Sequence, residues 1–402
     1  MLLMIRLMLI GLVLLNWIKF FPDQMIQSNI TFTDVLAISQ FGEWITFHAK
    51  LDIQPQQTVK QAYLFIQPEQ QNILLEEVPC SDTNEINYQI DLSRIYFHPF
   101  SQIDYWFRIY LVNGQEFISP KFTYQYVDNR FQWQTLESTQ FQVSWYTGDL
   151  EFGQNVMNVA QNGFQSALTY IPVNLSQPIR IFVYASSSDL QSAIQQNNQT
   201  WIAGNASPKL GIILVSIPLG PEARLELERQ IPHEIMHLLQ YQLTGDSYSN
   251  IPKWLTEGLA SLAELYPNGE YQRSLKTAVD SDTLLPISSL CSSFPSDPSG
   301  VYLAYAQSSS FVRFLHQKYG TSGIYGLMNV YKDGVGCLEG FEAAFNIPLS
   351  QLEYRWQQEA LGVDAEWLAL ENLSPYFLLF LLLTITPLAG FLLRVLSSHK
   401  KM

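Results

Sequence analysis

The sequence predicts a multidomain chain in which an N-terminal all-β sandwich is followed by an α+β domain and a C-terminal transmembrane helix. Three observations carry this expectation. Apolar residues alternate with period two up to about residue 127, helical spacing mixed with short β-rich runs takes over after it, and both ends of the chain are apolar. With 402 residues, 47% of them hydrophobic, the chain is long enough for two separate cores. Only 14% of the residues are charged and the net charge is −14. An acidic chain without clustered lysine and arginine excludes nucleic acid as a partner, because phosphate binding needs grouped cations.

Residues 1–21 are almost entirely apolar, interrupted by Arg6, Asn16 and Lys19. They read as a signal peptide, or as an uncleaved signal anchor because no small-x-small cleavage site precedes Gln27. Residues 27–127 form the β-sandwich domain. Ile86, Tyr88, Ile90 and Leu92 alternate with polar neighbours, and Trp44–Leu51 and Tyr63–Ile66 are similar short runs. Asn113-Gly114, between Ile103–Val112 and Gln115–Tyr126, reads as a two-residue hairpin turn with both residues at positive φ. About seven strands in about 100 residues suggest an immunoglobulin or fibronectin type III topology. No chemistry is visible in this domain, and its partner is unknown from sequence.

The domain over 128–370 begins with Phe141, Val143 and Trp145 alternating as a strand. Phe152, Val156, Val159, Phe164, Ala167 and Ile171 then fall at helical spacing. Ile179–Tyr184 and Gly211–Ser216 are strand candidates, with a short helix over 187–194, and residues 222–361 look helical. Ser350 and Glu353 have capping-box spacing. Of the three cysteines, Cys291 and Cys337 are the candidate disulfide, since both sit on loop-like sequence of one domain.

The last apolar run, 376–393, is about 18 residues long, the short end of what a bilayer requires. Arg394, His399, Lys400 and Lys401 follow it, whereas Glu366 and Glu371 precede it. This asymmetry predicts a cell-membrane protein with its body extracytoplasmic and residues 394–402 as a cytoplasmic tail. A helical hairpin with both ends inside fits the two apolar segments as well.

His233-Glu234-Ile235-Met236-His237 is an HExxH motif. Residues four apart on a helix share a face, so both imidazoles can reach one metal ion, and Glu234 lies beside the open position as a general base. A chain of this composition should contain only roughly 0.005 such matches by chance. Downstream, Trp254-Leu255-Thr256-Glu257-Gly258-Leu259-Ala260 places a glutamate 20 positions after His237. A carboxylate there supplies the third ligand of a His2Glu site, with Thr244–Asn250 as the turn between two helices. The candidate metal ligands are therefore His233, His237 and Glu257, and the candidate metal is Zn2+.

The sequence resembles the gluzincin zinc metallopeptidases, and specifically the Peptidase MA-like family, over about residues 128–361. The resemblance rests on the HExxH and WxxEGxA motifs, the stretch Asp128–Trp133, the run Gly211–Ser216, and Tyr305-Ala306-Gln307-Ser308. It implies a gluzincin-type fold for the second domain, zinc held by His233, His237 and Glu257, Glu234 as base, and peptide or protein as substrate. It also implies a strand beside the cleft that aligns the substrate, which Gly211–Ser216 would supply. The tetrahedral intermediate needs a hydrogen-bond donor. Tyr305 is the candidate on its Tyr-Ala-Gln-Ser setting, with Tyr302 and His316 as competitors.

Two departures from the family pattern bear on the site. Pro232 directly precedes the first ligand, which predicts a kink or a fresh helix start. Ser261 stands where many relatives carry an aspartate that orients a ligand histidine, so that support has to come from elsewhere. No 18-residue apolar run surrounds the motif, which excludes an intramembrane protease. The remaining alternative is a zinc-binding surface protein, weak or inactive as a catalyst, that acts as a binding module through its β-sandwich.

Overall fold

In the computed structural model of the protein, residues 30–194, 204–266, 268–363 and 373–387 are described. The chain divides into two compact units at Arg130/Phe131. The signal segment 1–21 and the tail 394–402 lie outside the described residues.

The first unit is built from two antiparallel sheets. One orders β1 (Thr31–Gln40), β2 (Trp44–Asp52) and β5 (Glu85–Asp91) as β1-β2-β5. The other orders β4 (Leu74–Val78), β3 (Val59–Pro68), β6 (Gln102–Leu111) and β7 (Glu116–Ile118) as β4-β3-β6-β7, and β8 (Phe122–Gln125) also pairs with β6. Alternate residues of β2, β3 and β6 are buried, and Phe47 meets Tyr105 across the sheets with ring centroids 4.9 Å apart. The turn after β6 differs from the expected two-residue form. Gly114 has φ 87°, but Asn113 is not at positive φ; its side chain accepts instead from the Gln115 N–H at 3.0 Å. The loop therefore spans Val112–Gln115, with the Gly114 N–H bonded to the Leu111 carbonyl at 3.0 Å. Asn113 can satisfy its neighbour's amide without adopting a left-handed backbone.

The second unit opens with a five-stranded mixed sheet ordered β12-β13-β11-β10-β9. β10 (Phe141–Trp145), β11 (Ile179–Tyr184) and β13 (Ile212–Ser216) run parallel. β9 (Gln134–Glu137) and β12 (Gly204–Ser207) pair antiparallel at the two edges. Helix α1 (Leu150–Leu168) is started by the Asp149 carboxylate, which accepts from the Phe152 N–H, and it lays Gly153 against the Trp145 indole, where a side chain would have no room. Helix α2 (Ser187–Ala193) follows β11. The rest is helical: α3 (Ala223–Thr244), a 3-10 turn over Gly245–Asn250, α4 (Lys253–Ala263), α5 (Gly269–Asp280), α6 (Pro298–Lys332), α7 (Cys337–Phe345) and α8 (Leu349–Leu361). α6 is interrupted at Gly320, whose φ is 66°. Trp254, Phe311, Phe341 and Trp356 join α4, α6, α7 and α8 in one aromatic cluster.

Three expectations need correction. No helix among the described residues is long and apolar enough to cross a membrane. The C-terminal transmembrane helix over 376–393 is therefore not supported, and the membrane anchor, the membrane localisation and the cytoplasmic tail inferred from it fall with it. The described helix there covers 373–387. Among the described residues, a β-rich unit is followed by one that opens with a mixed sheet and is otherwise helical. Second, Pro232 lies inside a continuous α3, so the fresh helix start expected at the first ligand does not occur. Third, Glu353 caps no helix: α8 has no side-chain cap, and the carboxylate accepts from the Ile287 N–H at 2.9 Å.

Cys291 and Cys337 form a disulfide with Cα atoms 6.1 Å apart, tying the segment before α6 to the start of α7. The Cys291 carbonyl also accepts from the Lys253 N–H at 2.8 Å, so the bridge sits at the start of α4. Closing a loop over 46 positions restrains the unfolded chain by about 4 kcal/mol in the chain-entropy account. The double variant Cys291→Ser/Cys337→Ser should lower the unfolding free energy of the second unit by ~2–4 kcal/mol in urea denaturation; an unchanged transition would show that the bridge restrains nothing.

Candidate metal centre

α3 and α4 supply the three groups that converge. His233 and His237 are four residues apart on α3 and share one face. α4 crosses this face and brings Glu257 to it. Gln240 of α3 donates to the Thr256 carbonyl of α4 at 2.9 Å, a buried bond that sets one helix against the other. On its far side Gly258 meets the α6 backbone at Ser308 so closely that a side chain would collide.

Glu257 Oε2 lies 3.3 Å from His233 Nε2 and 3.7 Å from His237 Nε2. One ligand atom from each of the three residues falls within 4.8 Å of the other two. Glu257 Oε2 is buried and has no hydrogen-bond partner. A buried carboxylate oxygen left bare between two imidazole nitrogens is chemically a cation site, and nitrogen and oxygen donors of this kind suit a divalent transition metal. The residues present therefore fit a bound metal.

The other imidazole nitrogens are occupied. His233 Nδ1 lies 3.1 Å from Glu264 Oε1, and since a carboxylate only accepts, Nδ1 carries a proton and Nε2 faces the centre. His237 Nδ1 meets the Tyr248 hydroxyl at 2.9 Å. Glu257 Oε1 accepts from Lys253 Nζ at 2.5 Å. Glu264 takes up the support that Ser261 cannot give. It sits two turns beyond Glu257, just past the end of α4.

The placement of Glu264 depends on Pro232. Proline has no N–H, so it leaves the carbonyl of Glu228, one turn earlier, without its helix bond. The Leu265 N–H donates to that carbonyl at 2.9 Å. The residue next to Glu264 is thus fastened to the motif helix at the gap that Pro232 opens. Against the other flank of the proline lies Gly163 of α1, whose missing side chain makes room for the ring.

Electrostatics divide the cluster. Burial pushes Glu234 up to about 7, with Glu257 adding to the rise and His233, Lys253 and the Ala206 amide opposing it. Burial would also raise Glu257, but His237, His233 and Lys253 together outweigh it and hold that carboxyl well below the ordinary range. Burial lowers His237 to about 4. It works against protonation of His233 too, yet the flanking carboxylates of Glu257 and Glu264 prevail and raise that imidazole to about 10.

The cluster opens into a cavity of about 690 Å³. Glu234 faces it from α3, under the outer strand β12, where a side chain on Gly204 would run into Glu234 Oε1. The strand beside the cavity is thus β12, through Gly204, Asn205 and Ala206. The expected strand Gly211–Ser216 corresponds to β13, which is paired on both sides and buried. Tyr305 lines the cavity from α6, its ring 6.2 Å from that of His233 and stacked on Tyr271 at 6.1 Å. Tyr302 also lines it but is 48% exposed. His316 does not: it packs on Tyr170 and bonds to the Thr321 hydroxyl at 3.2 Å.

Glu264, Tyr248 and Lys253 escaped the sequence reading. Spacing could have suggested two of them, since Lys253 is one turn before Glu257 and Glu264 two turns after it on one face. Tyr248 lies in a polar 3-10 turn and carries no sequence signal for its contact with His237.

An aminopeptidase N family protein from Idiomarina loihiensis is similar at 8% identity, covering 79% of this chain and 73% of that one, with a TM-score of 0.36. An M1 zinc metallopeptidase from Deinococcus radiodurans, in a variant form, is similar at 11% identity, covering 80% of this chain and 91% of that one, with a TM-score of 0.33. A comparison with curated proteins gives no match. The family model described as the Peptidase MA superfamily matches residues 159–362, slightly over half of the chain and including the whole metal-ligand cluster. The chain belongs to the Peptidase MA superfamily.

Proposed function

We propose that the cavity is the active site of a zinc-dependent peptidase. The observation that carries the reading is the buried Glu257 Oε2, bare of hydrogen bonds and set between His233 Nε2 and His237 Nε2. These three residues would hold the ion. A zinc ion there supplies Lewis acidity, lowering the pKa of a water and polarising a scissile carbonyl.

Glu234 is the general base. Its carboxylate faces the same cavity one residue after His233, and its value of about 7 matches a group that accepts a proton from the attacking water and returns it to the leaving amine. Tyr305 is the donor for the oxyanion. Burial raises its phenol far above the ordinary range, so the hydroxyl keeps the proton it donates. Peptide as substrate rests on the family and on β12. An outer strand beside the cluster offers main-chain donors and acceptors to an extended chain, which would add to the sheet as a further strand. Gly204 lets that strand approach Glu234 closely.

Glu234→Gln should keep the metal and lose peptide hydrolysis by about 10²–10⁴-fold; undiminished turnover by this variant would falsify the assignment of the base. Tyr305→Phe should lower kcat by about 10²-fold with little change in KM, read from steady-state kinetics on the same peptide. Because His233 is raised to about 10, it is protonated near neutral pH, and a cation must displace that proton. Zinc uptake should therefore release about one proton and tighten by about tenfold per pH unit there. Calorimetry in buffers of different ionisation enthalpy measures this; pH-independent uptake would contradict it.

A further inference from the structure

We infer that Lys253 is a positioning residue that commits Glu257 to offering a single oxygen to the metal. The inference rests on the metal-centre reading above. A carboxylate can present one oxygen or both to a cation, and the choice decides how many positions remain for water and substrate. The two oxygens of Glu257 differ sharply. Oε1 accepts from Lys253 Nζ at 2.5 Å, a charge-assisted bond, whereas Oε2 has no hydrogen-bond partner and faces both imidazole Nε2 atoms.

The backbone holds Lys253 where this bond requires it. Lys253 opens α4 one turn before Glu257, so the two side chains share a face. Its own N–H is bonded to the carbonyl of Cys291, a residue of the disulfide. The ammonium lines the same cavity as His233, Glu234 and Glu257. The side chain is 43% exposed, so replacing it leaves no hole in the core.

The test compares the full chain with Lys253→Met, which keeps length and loses charge, and Lys253→Arg, which keeps charge. Each is loaded with Co2+, and its visible absorption, metal content and peptide kinetics are measured. The expected result for Lys253→Met is one Co2+ per chain with weaker, shifted bands, as the freed oxygen joins the coordination. Its kcat should fall ~10–100-fold, with KM changed by less than about twofold, and Lys253→Arg should restore both bands and rate. Bands unchanged in Lys253→Met overturn the inference, and so does a loss confined to KM, which would assign the ammonium to substrate instead. A wild type that binds Co2+ but cleaves no peptide would sink the peptidase reading while the band comparison still decides Lys253. A wild type that binds no metal overturns both.

Discussion

A carboxylate shut away from water costs several kcal/mol unless its oxygens find partners, and Glu257, 4% exposed, has a hydrogen bond on one oxygen only, while the other faces two imidazoles. The second unit is arranged around this imbalance. α3 and α4 must cross where two imidazoles and one carboxylate reach the same few ångströms, which requires the buried bond from Gln240 to Thr256 and the close contact of Gly258 with α6. The aromatic cluster around Trp254 holds α4 from behind. Packing thus determines the geometry, and the bare Oε2 is what the packing leaves for a cation.

Around this centre the supporting groups come from places that share no simple spacing. Glu264 is carried by the chain leaving α4, fixed by the bond from Leu265 to the carbonyl that Pro232 frees. Tyr248 comes from the turn between the two helices. Lys253 comes from the first turn of α4, next to the disulfide. Each occupies an atom that would otherwise be free to compete: the Nδ1 atoms of both histidines and Oε1 of Glu257. The three atoms left over all point at one place. A site of this sort is specified by subtraction, with hydrogen bonds used to take away the wrong donors.

The same economy extends to the cavity wall. β12 is short and lies at the sheet edge, and its glycine admits the Glu234 carboxylate beneath the strand. A carboxylate there is dry enough to rise toward neutrality yet still touches the open cavity. β13, although more apolar and more regular in sequence, is sealed between β11 and β12. Its apolar character marks burial, and a buried strand cannot serve as a wall.

Local spacing was enough to single out His233, Glu234 and His237, because a helix places residues four apart on one face whatever surrounds it, whereas Glu257 stood out by its distance of 20 positions from His237. It also marked the β-rich first unit through alternation and the cysteine pair through loop context. What it could not supply was the effect of distant neighbours. Pro232 reads locally as a helix breaker, but it sits within α3 because Gly163 makes room for its ring and Leu265 satisfies the carbonyl it orphans. Glu353 reads as a cap but serves Ile287, 66 positions away. The apolar run near the C-terminus satisfies a composition rule, while crossing a bilayer demands a length of helix that the described residues do not reach. Sequence alone therefore determined which side chains could bind a metal. The tertiary structure decided which of their atoms remain available, because that depends on hydrogen bonds between segments the chain brings together only on folding.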